Sequence, residues 1–310
     1  MGWLLKQRGR RELTVMRWGL GTFVVLALWD NIAASFGMTL RLETYGFAIF
    51  LGALGYVAVK RTIVQEQALG EIQKELDVAR RIQLAILPER FPESKSFRVA
   101  ARYVPMTSVA GDFYDFVAVR DSQAGLLIAD VSGHGVPAAM IASMVKMAAA
   151  SQRENAADPA GVLTEMNRAL CGNTQSQFVT AAYVHLDAKA GELRYSAAAH
   201  PPMLLLRDGV VREIEENGLM LAAFDFATYA TAAQPLMTGD RLVLYTDGIV
   251  EAEDGAQEQF GRDRLCALLK ETAAMTEDDA AERIVGAVRR WAKRQEDDLT
   301  VLVCDVVGAA

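Results

Sequence analysis

The chain shows three hydrophobic patterns in succession. Two long apolar runs come first: Trp18–Leu40, which contains GLGTFVVLALW, and Tyr45–Val59, YGFAIFLGALGYVAV. A helix that crosses the hydrocarbon core needs about 17–25 mostly apolar residues. The first run has that length but carries Asp30 and Asn31; the second approaches it when Leu42 and Thr44 are added. Residues 1–60 therefore predict a hairpin of two transmembrane helices. From Thr62 to Ile86 the pattern becomes helical and amphipathic. Leu69, Ile72, Leu76, Ala79, Gln83 and Ile86 follow 3-4 spacing among charged neighbours, and Pro88 and Pro92 end the run. That is heptad spacing, and it predicts a connecting helix over 61–92 that can pair with a second copy of itself.

From Phe97 the period shortens. FRVAARYVP, YDFVAV, AGLLIADV, FVTAAYVHLD, ELRYSAAA, MLLLRDG, DRLVLYTDG and LTVLVCDV read as strands parted by Gly, Asp and Asn turns. Helices are expected over Pro137–Gln152, Ala160–Cys171 and Arg262–Lys293, the last broken near Met275–Asp278. Strands in runs and helices in groups indicate an α+β domain over 93–310.

Charge refines this picture. The net charge of −7 argues against a nucleic-acid binder. Lys6, Arg8, Arg10, Arg11 and Arg17 precede the first apolar run, and Lys60-Arg61 follow the second. The positive-inside rule then puts both ends in the cytoplasm, with an outer loop near Gly37–Glu43. This corresponds to a multi-pass protein of the inner (cytoplasmic) membrane with its folded domain in the cytoplasm. Two other readings of the runs are a cleaved signal peptide and core helices of a small soluble domain. Asp30 is either a functional acid inside the membrane or a hydrated residue at the interface. Cys171, Cys266 and Cys304 form no CxxC pair and read as buried free thiols, not a zinc site or a disulfide framework.

The candidate chemistry lies at strand ends. Four places set Asp beside turn residues or a second Asp: Ala110-Gly111-Asp112, Ala129-Asp130-Val131-Ser132-Gly133-His134-Gly135, Thr246-Asp247-Gly248 and Asp297-Asp298-Leu299. A strand that crosses a core delivers its last residue to the rim, and an adjacent Gly lets backbone approach an ion closely. Converging carboxylates repel unless a hard cation binds them. Oxygen ligands point to Mg²⁺ or Mn²⁺, and a pair of such ions forms a hydrolytic clamp on a phosphoryl group.

The stretches ARRIQLAILP, AGDFYDF, ADVSGHGVPAAM, FVTAAYV, AAHPPMLLL, LVLYTDGIVEA, FGRDRL and DDLTVLV, in this order over Ile82–Val306, resemble the PPM (protein phosphatase 2C-like) family. The likeness is to its bacterial SpoIIE/RsbU-type branch of sporulation and stress-response phosphatases. The resemblance implies an α-β-β-α sandwich of two antiparallel sheets flanked by helices. It implies two metal ions, Mn²⁺ or Mg²⁺. Asp112 and the bridging Asp130 would be ligands together with the Val131 carbonyl, and Asp247 and Asp297 would hold the other ion. Asp297 is preferred over Asp298, which stands where many relatives have Asn. Implied too are hydrolysis of phosphoserine or phosphothreonine without a phosphoenzyme and a phosphorylated anti-anti-sigma (STAS-domain) protein as substrate. The chain departs from the branch at Ala110 and Ala199, where Gly is usual, and in GLMLAAFDF, which puts substrate fit near Gly218–Phe226 in doubt.

The resulting expectation is a membrane-anchored, metal-dependent serine/threonine phosphatase, homodimeric through the connecting helix. The alternatives are a silent phosphatase-fold binding module and a nucleotide cyclase suggested by AGDFYD. His134 is open between phosphate positioning and a structural turn. His200 and His185 read as structural. Met140, Met144 and Met147 read as core.

Overall fold

The computed structural model describes residues 2–36 and 41–308. Contacts divide the chain into two compact units, Met1–Glu75 and Leu76–Ala310. In the first unit, helix α1 (Gly2–Ser35) lies against the first part of helix α2 (Glu43–Ile86). Small residues let the two approach: a Cβ added at Gly19 would sit 2.8 Å from Ala53 Cβ, and one at Gly46 would sit 3.0 Å from Phe23 Cα. Phe23 packs on Phe47 and Phe50, and Glu12 pairs with Arg61 at 3.0 Å. Asp30 Oδ2 accepts the Glu43 backbone N–H at 2.6 Å. This acid thus caps the start of α2, a role in neither of the readings made from sequence. Both helices are long and apolar enough to cross a membrane, and only 6% of each apolar window is buried. The expected outer loop, Gly37–Glu43, lies largely outside the described residues, and so do the side chains of Lys6, Arg8, Arg10 and Arg11. α2 continues without a break from the second apolar run through the connecting segment, with Leu69 and Ile72 exposed.

The second unit is a sandwich. In chain order it contains β1 (Phe97–Val104), β2 (Phe113–Val117), β3 (Gln123–Val131), α3 (Val136–Ala150), α4 (Pro159–Leu170), β4 (Val179–Asp187), β5 (Glu192–Ala198), β6 (Met203–Arg207), β7 (Val210–Ile214), β8 (Asn217–Gly218), β9 (Ala232–Pro235), β10 (Arg241–Tyr245), α5 (Asp247–Val250), α6 (Gly261–Glu271), α7 (Glu277–Trp291) and β11 (Leu299–Val306). One sheet has the order β1-β11-β10-β6-β7; the other runs β2-β3-β4-β5-β8, with β9 also on β5. Pairing is antiparallel except between β5 and the two-residue β8. This is the α+β architecture expected.

The central strands are apolar on both faces because both faces are covered. Leu126, Leu127 and Ile128 of β3 and Val301, Leu302 and Val303 of β11 are completely buried. α3 and α4 cover one sheet; α6 and α7 cover the other. α7 illustrates the local logic. Thr276 Oγ1 accepts the Asp279 N–H, three acids occupy the first turn and Arg289 and Arg290 the last. This is a capped helix with charges opposed to its dipole, and Ala280, Ala281, Ile284, Val285 and Val288 face the sheet.

Two expectations need correction. Met140 and Met147 are exposed, at 66% and 71%. Ala138, Ala142, Val145 and Ala149 occupy the inner face of α3, which turns the methionines outward; only Met144 packs on the core. Of the three free cysteines, Cys304 alone is buried, while Cys171 and Cys266 are partly exposed.

Candidate metal centre

Four loops carry the carboxylates to one rim of the sandwich. Asp112 directly precedes β2, Asp130 is the next-to-last residue of β3, Asp247 opens α5 just after β10, and Asp297 and Asp298 immediately precede β11. The approach is tight. A Cβ at Gly111 would fall 2.7 Å from the Val131 carbonyl oxygen and 3.3 Å from Asp130 Oδ1. A Cβ at Gly248 would fall 2.1 Å from the Asp298 carbonyl oxygen. Glycine at both positions lets β2, β3, α5 and the entry to β11 meet. Gly248→Ala is expected to push the Asp297–Asp298 backbone outward and lower stability by about 1–3 kcal/mol. Denaturant titration checks this, and a variant as stable as the native protein would refute it.

The side chains differ in what they touch. Asp112 is almost fully buried, and its Oδ2 accepts from Thr246 Oγ1 at 2.8 Å and Thr300 Oγ1 at 2.5 Å. Asp298 is also buried and spends both oxygens on backbone: Oδ1 accepts the Met106 N–H at 2.6 Å, and Oδ2 the Gly111 N–H at 2.8 Å. Asp297 is exposed, and its Oδ1 accepts the Asp298 N–H at 2.8 Å. Asp130 and Asp247 are partly buried.

Their electrostatics follow from burial and crowding. Burial, then the charge of Asp130, holds the Asp112 carboxyl well above the usual carboxylate range. Burial followed by Asp247 and Asp297 pushes Asp130 up to about 7, and burial followed by Asp297 and Glu251 pushes Asp247 up to about 6. Asp298 is raised by burial, against the pull of the Met106 and Gly111 amides. Among the described residues, none of these carboxylates forms an ion pair with a Lys or Arg; ion pairs such as Lys146–Asp115 and Arg241–Asp305 lie elsewhere. The oxygen-only donor set and its uncompensated charge fit a divalent hard cation. Among the described residues, no three side chains are already arranged as a closed metal cage.

Residues 120–307 match the family model described as Stage II sporulation protein E (SpoIIE). The chain belongs to the SpoIIE family. The SpoIIE match takes in Asp130, Asp247 and Asp297, and Asp112 lies just upstream of it. Phosphoserine phosphatase RsbU of Bacillus subtilis (strain 168) is 30% identical over 239 residues, covering 75% of this chain and 70% of RsbU. Two further relatives are longer, and the chain spans 43% and 58% of them. The SiaA-PP2C domain of Pseudomonas aeruginosa shares the fold with a TM-score of 0.69 at 26% identity, over 77% of this chain and 98% of that one. The catalytic domain of serine threonine protein phosphatase PstP, in complex with 2 manganese ions, has a TM-score of 0.53 at 19% identity, over 69% and 99% of the two chains, and shows the fold alone. This SpoIIE-family chain is a PP2C-type phosphatase.

Among the described residues, none of the histidines is hydrogen-bonded or ion-paired to the SpoIIE-family carboxylates, although Thr180, which His200 contacts, pairs with Asp130 across β3 and β4. His200 is buried, its Nδ1 lies 3.0 Å from Thr180 Oγ1, and burial lowers its pKa to about 3. His185 is buried in β4 and shifted down by burial. His134 is exposed between Gly133 and Gly135, both at positive φ. Sequence reasoning missed Thr246 and Thr300, although each stands within three residues of a candidate Asp. It also missed Gln83, whose buried amide grips one residue: Nε2 donates to the Ala110 carbonyl at 2.6 Å, and Oε1 accepts the Ala110 N–H at 3.0 Å.

Proposed function

We propose that the chain is a metal-dependent phosphoserine/phosphothreonine phosphatase, held at a membrane by its N-terminal hairpin, whose substrate is a phosphorylated STAS-domain regulator. The observation that carries the metal reading is the group of raised, uncompensated carboxylates at one rim of a PP2C fold. Asp112 and Asp130, with the Val131 carbonyl, would hold one ion, and Asp130, Asp247 and Asp297 the other, as Mn²⁺ or Mg²⁺. Such ions, when bound, supply a Lewis acid that activates water and offsets charge on the phosphoryl oxygens. The protein's own part is positioning. Thr246 and Thr300 orient Asp112, and Asp298 ties the Gly111 loop to the entry of β11, which leaves Asp297 free to face a ligand.

The exposed Leu69 and Ile72 favour pairing of α2 with a second copy. Gln83, on the same stripe and gripping Ala110 beside Asp112, supports coupling between the helix and the carboxylate loop, a shift between two helix arrangements. The family membership and the name of the RsbU relative support a phosphoserine substrate.

The test is Mn²⁺-dependent hydrolysis of p-nitrophenyl phosphate and of a phosphoserine protein by the full chain in detergent, beside Asp247→Asn. Expected is activity that chelation removes and that falls at least about a hundredfold in the variant. Activity that survives both treatments would sink the metal reading.

A further inference from the structure

A cleft of about 400 Å³ opens beside the carboxylates and shares Gly248 and Asp297 with them. One wall is α5 with the loop after it; the other is the end of α7 with the loop into β11. The walls are stitched together. The Lys293 N–H donates to the Glu253 carbonyl at 3.1 Å, and Trp291 Nε1 donates to the Glu258 carbonyl at 3.1 Å. The Arg264 guanidinium lies over the Trp291 ring, 4.1 Å from its centre. The cleft is therefore built into the fold and is not a gap between side chains that can collapse.

Its lining is charged in an unusual way. Arg289, Lys293 and Arg294 are exposed there, and among the described residues none of them forms an ion pair. Several other cations of this unit do pair: Arg241 with Asp305, Arg262 with Glu213, Arg264 with Glu258 and Arg283 with Glu271; Arg290 of α7, also without an ion pair among the described residues, does not line the cleft. Glu251, Glu253 and Glu296 also line the cleft. Glu251 belongs to its carboxylate end, where it helps raise Asp247. The lining thus joins the acids of the metal centre to three unpaired cations within six residues of α7 and its exit. The lining as a whole sets four carboxylates, Glu251, Glu253, Glu296 and Asp297, against these three cations, so in a chain of net charge −7, which repels acidic proteins at long range, the attraction for negative charge is local to Arg289, Lys293 and Arg294.

We propose that this cleft is the docking groove for the stretch of phosphoprotein substrate beside the phosphoserine, and that Arg289, Lys293 and Arg294 receive acidic side chains on that stretch. The inference rests on the phosphatase reading and adds a sequence preference to it. With the phosphoserine at the carboxylates, a continuing peptide has this groove in reach, and charge complementarity across such a surface sets specificity.

The experiment compares two phosphoserine peptides of equal length, one flanked by Glu and one by Gln. The enzymes are the full native chain in detergent and the Arg289→Gln/Lys293→Gln/Arg294→Gln variant. The native chain should favour the acidic peptide by about tenfold in kcat/KM, and the preference should fall to within about twofold in the variant, chiefly through KM. Equal use of both peptides by the native chain, or a preference that survives in the variant, overturns the groove. If p-nitrophenyl phosphate is hydrolysed meanwhile, the phosphatase reading still stands. If the native chain hydrolyses no substrate, that reading falls, and fluorescence anisotropy of the labelled acidic peptide decides the groove alone. Weaker binding by the variant supports it, and equal binding overturns it.

Discussion

Asp130→Asn is expected to cut metal-dependent turnover by about a thousandfold or more and, in chelator, to make the folded domain more stable. The opposite signs have one cause. Burial, then the charges of Asp247 and Asp297, raises the Asp130 pKa to about 7, against an unfolded value near 4. Between those two values the native state binds more protons than the unfolded state, so the stability of the metal-free protein falls as pH rises through that window. The amide removes the charge that causes this. The gain above pH 7 should be on the order of 2 kcal/mol, a rise in Tm of roughly 4–8 °C for a domain of this size. The variant's stability should also depend less on pH between about 4 and 7. Thermal melts in EDTA across that range, beside turnover in Mn²⁺, check both halves. A variant that keeps its turnover, or that melts lower than native in EDTA, would contradict Asp130 as the shared carboxylate.

Gln83→Leu should weaken the centre without touching a carboxylate. Leucine keeps the bulk but leaves the buried N–H and C=O of Ala110 without partners, and each such loss costs about 1–3 kcal/mol. Ala110 is followed by Gly111, whose N–H Asp298 holds, and then by Asp112. The loss should therefore loosen that loop and raise the Mn²⁺ concentration for half-maximal activity about tenfold or more, with activity returning at high Mn²⁺. Asp130→Asn should not be rescued in this way. Calorimetric Mn²⁺ titration provides a reading independent of turnover, and an affinity equal to native would refute the link.

What the sequence revealed and what it hid follow from the range of the interactions. Each candidate Asp stands at or near one end of an apolar run, with Gly or Thr within three residues, so the four carboxylate loops stood out one at a time. The two helical groups and the break before α7 were legible for the same local reason. Contacts set by neighbours distant in sequence were not. Asp30 looked like a stray acid because its partner is the first amide of the next helix. Gln83 looked like one more residue of a heptad stripe, since the amide it grips is 27 positions away. The methionines of α3 have helical spacing, but spacing cannot tell the inner face from the outer when alanines fill the other side. Asp297 and Asp298 are adjacent and chemically alike; only the resemblance ranks them from sequence, and the structure adds that Asp298 is the one that holds the Met106 and Gly111 amides.

The place of β11 has a consequence for biosynthesis. It pairs with β1 on one side, Phe97 against Val306 through Val104 against Leu299, and with β10 on the other. The sheet thus has one of its inner positions filled by a strand that is synthesised after every other strand of the sandwich. Until residues 299–306 leave the ribosome, β1 and β10 have bare edges facing each other, and the Asp297–Asp298 turn has nothing to anchor it. The nascent chain therefore cannot assemble this rim early. A hydrolase organised in this way stays inert until β11 has been made, and until then its open strand edges are the part most in need of a chaperone.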